Sequence, residues 1–304
     1  MLLLLVLCSS FACKSNAVTR IVDSSMEPME LFVNNVIVTG DFYINKNNGV
    51  NIALPITHNA KYYLETEFVN ERICVNVSEL SGRNLDSIHY EITECKGESS
   101  PYSANDRTLT FLGLDVSTIS ENKETITISK IALMIGDTPY TINSDVTIHV
   151  EPDCEFIQSD TGSILLHTFG KTNKNAMLEG VLSQRFSHTF MFNDADMYLH
   201  NDADQVTIDS FYFAHKDSLT VSNMRYAFND PNNAVVSDGE INESFSSNLN
   251  MILMANLQNT ENTISYFTVL IDYHFSYDYT NHKTVLGLYV TLDGEKILNG
   301  LKNA

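Results

Sequence analysis

Phe267-Thr268-Val269-Leu270-Ile271-Asp272-Tyr273-His274-Phe275-Ser276-Tyr277-Asp278-Tyr279 decides the fold class. Phe267, Val269, Ile271, Tyr273, Phe275, Tyr277 and Tyr279 fall on one parity, and Asp272, His274, Ser276 and Asp278 on the other. A period of two is a strand with one buried and one wet face. Thr284 to Leu292 reads as its partner, and Asp293-Gly294 as the next turn.

The same pattern recurs along the chain. In the first half it predicts strands over Leu31–Val38, Gly49–Leu54, Tyr62–Val69, Arg72–Leu80, Ser87–Glu94, Thr108–Leu114, Glu124–Ile135, Tyr140–Ile142 and Val146–Val150. In the second half it predicts Ser163–Thr168, Ser187–Phe192, Gln205–Phe213, Leu219–Phe228 and Asn248–Leu257. Turn signals fall at Asn47-Asn48-Gly49, Gly136-Asp137, Asn229-Asp230-Pro231 and Ser237-Asp238-Gly239. Helical signals are confined to Ala176–Leu182 and Glu295–Leu301.

One internal echo carries structural information. Ile126-Thr127-Ile128 is followed by Ile131 and Leu133, then by Asp137-Thr138 and Tyr140-Thr141-Ile142. About 80 residues later Val206-Thr207-Ile208 is followed by Phe211 and Phe213, then by Asp217-Ser218-Leu219-Thr220-Val221. In both copies the apolar parity flips after the third residue, as it does at a β-bulge. Many short strands at this spacing predict a mostly β fold of two tandem antiparallel β-sandwich-like (Ig-like) domains. Glu151-Pro152-Asp153 is the expected boundary, giving residues 31–151 and 152–304, each an ordinary domain size.

Composition limits the partners. Hydrophobic residues are 43% of the chain, enough for a core, and the 18% that are charged argue against wholesale disorder. The formal net charge of −20 repels phosphate backbones and anionic bilayers, which disfavours nucleic acid and flat membrane binding.

The N-terminus bears on compartment. Met1 to Ala12 carries no charge and opens with Leu2-Leu3-Leu4-Leu5-Val6-Leu7, too short to span a bilayer but fit for the apolar part of a signal peptide. Ser10-Phe11-Ala12-Cys13 resembles the signal of a bacterial exported lipoprotein, in which a small residue precedes a cysteine that becomes lipidated. The resemblance implies lipidation at Cys13 and a membrane contact made only through that lipid. Residues 1–12 are then the signal and 13–30 a polar tether. Cleavage after Ala12 without a lipid is the other reading of the same residues.

Export permits disulfides. The strands predicted over Arg72–Leu80 and Ser87–Glu94 flank a polar, turn-rich segment, Ser81 to Asp86, which reads as a hairpin connection. A turn centred on Asn84 and Leu85 sets Cys74 opposite Cys95, and a bridge between them is expected. A register shifted by one residue sets them on opposite faces instead. Cys154 reads as a small buried thiol.

Motifs for catalysis are few. Gly170-Lys171-Thr172 lacks the glycine a phosphate loop needs, because Leu165 stands there. Neither a Gly-x-Ser-x-Gly elbow nor a His-Glu-x-x-His pair occurs. Asp272, His274 and Asp278 share a polar strand face but read as solvated. The candidate ion site is a doubled tetrapeptide, Asn193-Asp194-Ala195-Asp196 and Asn201-Asp202-Ala203-Asp204. Calcium takes six to eight oxygen ligands, and Asp194, Asp196, Asp202 and Asp204 supply carboxylates that two flexible turns bring to one ion. Solvated turns are the competing reading.

The expected function is an extracytoplasmic, lipid-anchored binding or adhesion protein without catalytic activity, its partner an extracellular protein or glycan. The alternatives are a surface hydrolase with a triad assembled from distant residues and a structural cell-envelope protein.

Overall fold

The structure, a computed structural model, describes residues 30–32, 35–59, 75–94, 102–104, 107–156, 184–192, 205–245, 249–260 and 262–292. In the first half the strands are β1 Leu31–Phe32, β2 Ile37–Ile44, β3 Val50–Asn59, β4 Val75–Arg83, β5 Ile88–Glu94, β6 Tyr102–Ala104, β7 Arg107–Thr118, β8 Glu124–Ile135 and β9 Thr138–Val150. In the second half they are β10 Glu155–Phe156, β11 Gln184–Phe192, β12 Val206–His215, β13 Leu219–Phe228, β14 Val235–Val236, β15 Glu240–Phe245, β16 Leu249–Asn259, β17 Thr263–Phe275 and β18 Asp278–Leu292. The expected strands over Tyr62–Val69 and Ser163–Thr168 and the helical signals at Ala176–Leu182 and Glu295–Leu301 lie outside the described residues.

Three sheets form two sandwiches. A five-stranded sheet runs β1-β3-β7-β5 with β6 on β7, and a four-stranded sheet runs β11-β16-β13-β14. Between them a nine-stranded sheet runs β10-β18-β17-β2-β9-β8-β4, with β12 on β17 and β15 on β12. One large core gathers Val38, Phe42, Ile52, Leu54, Leu114, Ile126 and Ile148 between the five-stranded sheet and the nine-stranded one. A second gathers Ile208, Phe211, Met251, Leu253, Phe267, Val269 and Ile271 against the four-stranded sheet.

β17 belongs to both cores. Ile264 and Tyr266 pack in the first, while Phe267, Val269, Ile271, Tyr273 and Phe275 pack in the second. Successive side chains on a strand point to opposite faces, so the two cores lie on opposite faces of this strand. That explains why the N-terminal part of β17, from Thr263 to Ile271, is buried on both faces, and why alternation with half-exposed residues is clean only from Asp272 to Phe275. β18 is its antiparallel partner, as expected, with Ile271 opposite Thr284 and Ile264 opposite Leu292. The strand stops at Phe275 rather than running on to Tyr279, because the chain turns at Ser276 and Tyr277.

The sandwiches are joined by parallel pairs that alternation does not announce. β2 runs parallel to β9 from Ile37↔Asn143 to Ile44↔Val150 and parallel to β17 from Thr263↔Ile37 to Tyr266↔Gly40. β9 is continuous through Asn143-Ser144-Asp145, where the sequence reads as a break, because β8 and β2 pair with it on both sides. The expected strand over Leu31–Val38 is instead two elements, β1 and the start of β2, which enter different sheets.

The echo is realised at its bulges. β8 shifts register between Ile128 and Lys130, and β12 between Ile208 and Ser210. Ile126, Ile128, Ile131 and Leu133 are buried, as are Val206, Ile208, Phe211 and Phe213. The bulge re-aims the side chains so that both parities reach one core. The echo ends there. β9 returns as a hairpin beside β8, whereas β13 crosses to the facing four-stranded sheet.

The hairpin expected between Arg72–Leu80 and Ser87–Glu94 is corrected by the pairing. β4 pairs with β8 in the nine-stranded sheet, and β5 pairs with β7 in the five-stranded sheet. The segment between them is an arch from one sheet to the other, built on Asn84 in the left-handed conformation (φ 57°) and a 3-10 turn over Leu85–Ser87. Val75 and Val77 on β4 and Ile88 and Ile92 on β5 all pack against the first core. Two strands that both present apolar residues to one core can face each other across it as well as pair edge to edge, and here they face. Cys74 and Cys95 lie outside the described residues.

Candidate binding surface

The chemistry-bearing residues singled out in the sequence, Cys13, Asp194, Asp196, Asp202 and Asp204, lie outside the described residues, as do Cys74 and Cys95. Cys154 is buried as expected, its thiol donating to the Lys283 carbonyl at 3.4 Å beside Leu270 and Val285. Among the described residues no group of three or more His, Cys, Asp or Glu side chains is placed to hold a metal ion. None of their helices is long and apolar enough to cross a membrane.

Among the described residues, His274 and His149 each lie beside a carboxylate. His274 Nδ1 lies 3.0 Å from Asp209, and His149 Nε2 lies 3.8 Å from Asp41. A hydrolytic triad needs a hydroxyl on the far side of the imidazole. Ser210, the neighbour of Asp209, turns away and donates to Asp272 at 3.3 Å.

The Asp41 pair is part of a strut between the sandwiches. Asp41 on β2 lies 3.5 Å from the Lys216 ammonium, which also donates to Thr147 on β9 at 2.5 Å and faces Asp145 at 3.5 Å. Burial raises the Asp41 carboxyl, but the His149 hydrogen bond and the Lys216 charge outweigh it and hold the group below its ordinary range. Tyr43 stacks on His149 with ring centroids 4.7 Å apart, and Lys283 donates to the Tyr212 hydroxyl. Burial pushes both the Tyr43 and Tyr212 hydroxyls upward, so both stay protonated. Thr39, Ser218 and Ser265 join hydroxyls at 2.5–3.3 Å where β2 and β17 meet the start of β13. Each polar group here is matched by another protein group, which is the arrangement of a structural joint.

Among the described residues, β5 carries an edge with no strand beside it. This strand pairs with β7 in unbroken register from Ile88↔Thr118 to Glu94↔Leu112 and ends the five-stranded sheet. Ile88 and Ile92 turn inward to the core, Tyr90 shares their parity but is 41% exposed, and His89 and Glu91 are exposed on the opposite parity. Ile119 follows directly on Thr118 and is 75% exposed. The Thr118 hydroxyl fixes that turn by donating to the Ser87 carbonyl at 2.8 Å and accepting from the Ser120 amide at 3.0 Å. The Asn84 side chain donates to the Thr125 carbonyl at 2.8 Å and pins the arch below β5.

Among the described residues, the β4, β15 and β14 edges are blunted. β4 has two register shifts, and Gly82 at one of them lies against β8 so closely that a Cβ there would stand 1.8 Å from the Thr127 carbonyl. β15 carries Asn242 at φ 57° opposite the β12 bulge, and β14 is two residues long. Short, bulged or kinked strands are the usual protection against edge-to-edge pairing. β5 has none of these features. The sequence identified this segment as a strand, but edge status depends on which strand fails to pair with it, and no residue of β5 signals that.

No family model matches the chain, and no curated protein matches it. Among solved structures it is similar to CfaE, the adhesive subunit of CFA/I fimbria of enterotoxigenic Escherichia coli, at 6% identity and a TM-score of 0.23, over 85% of this chain and 99% of that one. It is similar to the CupB6 tip adhesin from Pseudomonas aeruginosa at 8% identity and a TM-score of 0.20, over 80% and 90% of the two chains. It is also similar to the collagen binding domain of the Erysipelothrix rhusiopathiae surface protein RspB at 9% identity and a TM-score of 0.21, over 87% and 96%. Each likeness is loose.

Proposed function

We propose that the chain is an exported, lipid-anchored binding module that attaches to an extracellular protein through the surface of its first sandwich and performs no catalysis. The observation that carries the reading is the β5 edge, unpaired among the described residues, with Tyr90 exposed on it and Ile119 exposed just past the end of β7. An exposed apolar and aromatic surface on an otherwise polar protein is the usual mark of a contact site. The charge of −20 selects against anionic partners.

The Ser10-Phe11-Ala12-Cys13 signal supports the anchor. Two experiments test the reading. The full mature chain, coated on beads, is measured for retention on a panel of purified extracellular-matrix proteins and on neutral and acidic glycans. Retention on at least one protein surface is expected, and its absence on all of them removes the reading. In a bacterial host, Cys13→Ser is expected to move the protein from the membrane fraction to the soluble fraction. A variant that stays membrane-bound excludes the lipid anchor.

A further inference from the structure

We infer that the open edge of β5 receives an extended, cationic peptide segment of the partner, which adds to the five-stranded sheet as a new strand. The inference rests on the reading of the chain as a binding module and names the mode and the chemistry of its partner.

The backbone provides the dock. Among the described residues, His89 to Ile92 pair with β7 on one side and with no strand on the other, and the hydrogen bonds made outside the strands do not involve them. A row of unpaired N–H and C=O groups on a regular strand is a template for another chain. Strand addition of this kind draws affinity from main-chain hydrogen bonds and specificity from alternate side chains. The segment Ile88-His89-Tyr90-Glu91-Ile92-Thr93-Glu94 contains no Pro, no Gly and no Lys. Tyr90 on this strand and Ile119 just past the end of β7 are both exposed.

Charge decides the occupant. Asp86 and Glu91 are exposed along the arch and strand, and the whole chain carries −20. Arg83, at the end of β4, is the arch's own cation. A second copy of the chain in the fully overlapped antiparallel register would set Glu91 against Glu91, and like charges directly opposite each other across strands are destabilising. A strand carrying Lys or Arg opposite Glu91 gains what a second copy loses.

The test uses the full mature chain and a synthetic probe, a nine-residue peptide alternating lysine with valine and threonine. Two control peptides replace lysine with glutamate or methylate alternate backbone nitrogens. Titration calorimetry is expected to show binding of the lysine peptide, with the glutamate and N-methylated peptides each about tenfold weaker or worse. Glu91→Lys is expected to reverse the preference between the lysine and glutamate peptides, and Tyr90→Ser to weaken binding of the lysine peptide. Equal binding of the methylated peptide, or an unchanged preference in Glu91→Lys, overturns the inference. So does a wild-type dimer in sedimentation that Tyr90→Ser dissolves, because the occupant is then a second copy. Retention on the matrix panel that survives Glu91→Lys and Tyr90→Ser leaves the binding-module reading standing and places its contact elsewhere. A chain that binds neither panel nor peptide removes both.

Discussion

The Tyr266 hydroxyl accepts a hydrogen bond from the Ala53 amide at 2.6 Å, across 213 residues of sequence. Among the described residues, β3 has β7 on one side and two residues of β1 on the other, with no further strand along that second edge. Tyr266 covers that edge at Ala53, and the Tyr140 hydroxyl accepts from the Thr57 amide at 3.1 Å. Pro55 lies between them and has no N–H to satisfy. The edge is closed by side chains from β17 and β9, so the five-stranded sheet is held to the nine-stranded one by polar contacts as well as by the core.

Tyr266→Phe keeps the ring in the core and leaves the Ala53 amide without its acceptor. Tyr266 is fully buried, so the loss is expected to be about 1–3 kcal/mol in chemical denaturation. A variant as stable as the parent would show that the hydroxyl contributes nothing to the joint.

Gly82→Ala and Gly136→Ala separate two costs. A Cβ at Gly82 stands 1.8 Å from the Thr127 carbonyl, and backbone cannot move aside as a flexible side chain does. At Gly136 the added Cβ meets nothing within 4 Å, and only the positive φ of 59° opposes it. Gly136→Ala is expected to cost about 1–2 kcal/mol and Gly82→Ala about 3 kcal/mol or more. The reverse order in thermal melts would contradict the close approach of β4 to β8.

Asp41 and Lys216 are expected to couple by about 1 kcal/mol in a double-mutant cycle of Asp41→Asn with Lys216→Met. The Asp41 carboxyl is lowered in the folded state, so its contribution is present above its unfolded value near pH 4 and is lost as pH falls through the folded value. Additive single losses, or coupling unchanged well below pH 3, would separate the two residues.

His58 is fully buried, its Nδ1 lies 2.8 Å from the Asn59 carbonyl, and its Nε2 has no hydrogen-bond partner among the described residues. Burial lowers its proton affinity below the ordinary imidazole value, while the unfolded chain protonates near pH 6.5. The stability it supports is therefore complete above about pH 6.5 and declines as pH falls toward the folded value. His58→Phe is expected to flatten the change of Tm between about pH 7 and pH 5. An identical slope in the variant would assign the acid sensitivity to other groups.

We propose the doubled Asn-Asp-Ala-Asp of residues 193–204 as a calcium loop. Millimolar calcium is expected to raise Tm, because an ion bound only by the folded state stabilises it. Asp196→Ala combined with Asp202→Ala is expected to abolish the rise. Equal melting in calcium and in chelator returns these residues to solvated turns.

Local pattern alone fixes most of the strands and their bulges. Alternation along Phe267–Phe275 and the parity flips after Ile128 and Ile208 are local properties, because side-chain direction on a strand depends only on position along it. The turn at Asn47-Asn48-Gly49 was equally legible, since the Asn45 side chain accepts from the Asn47 and Asn48 amides at 2.9 Å within the same few residues. Only the tertiary structure decided which strands became neighbours. Val75, Val77, Ile88 and Ile92 satisfy one core whether β4 and β5 pair or face each other, so their pattern is the same in a hairpin and in an arch. The parallel joins of β2 to β9 and β17, the passage of β17 between two cores and the open edge of β5 are properties of partners distant in sequence. A hydrogen-bonded neighbour leaves its mark on the backbone, which is chemically alike at every residue, and so the candidate site at Tyr90 and Glu91 could not be read until the sheet was assembled.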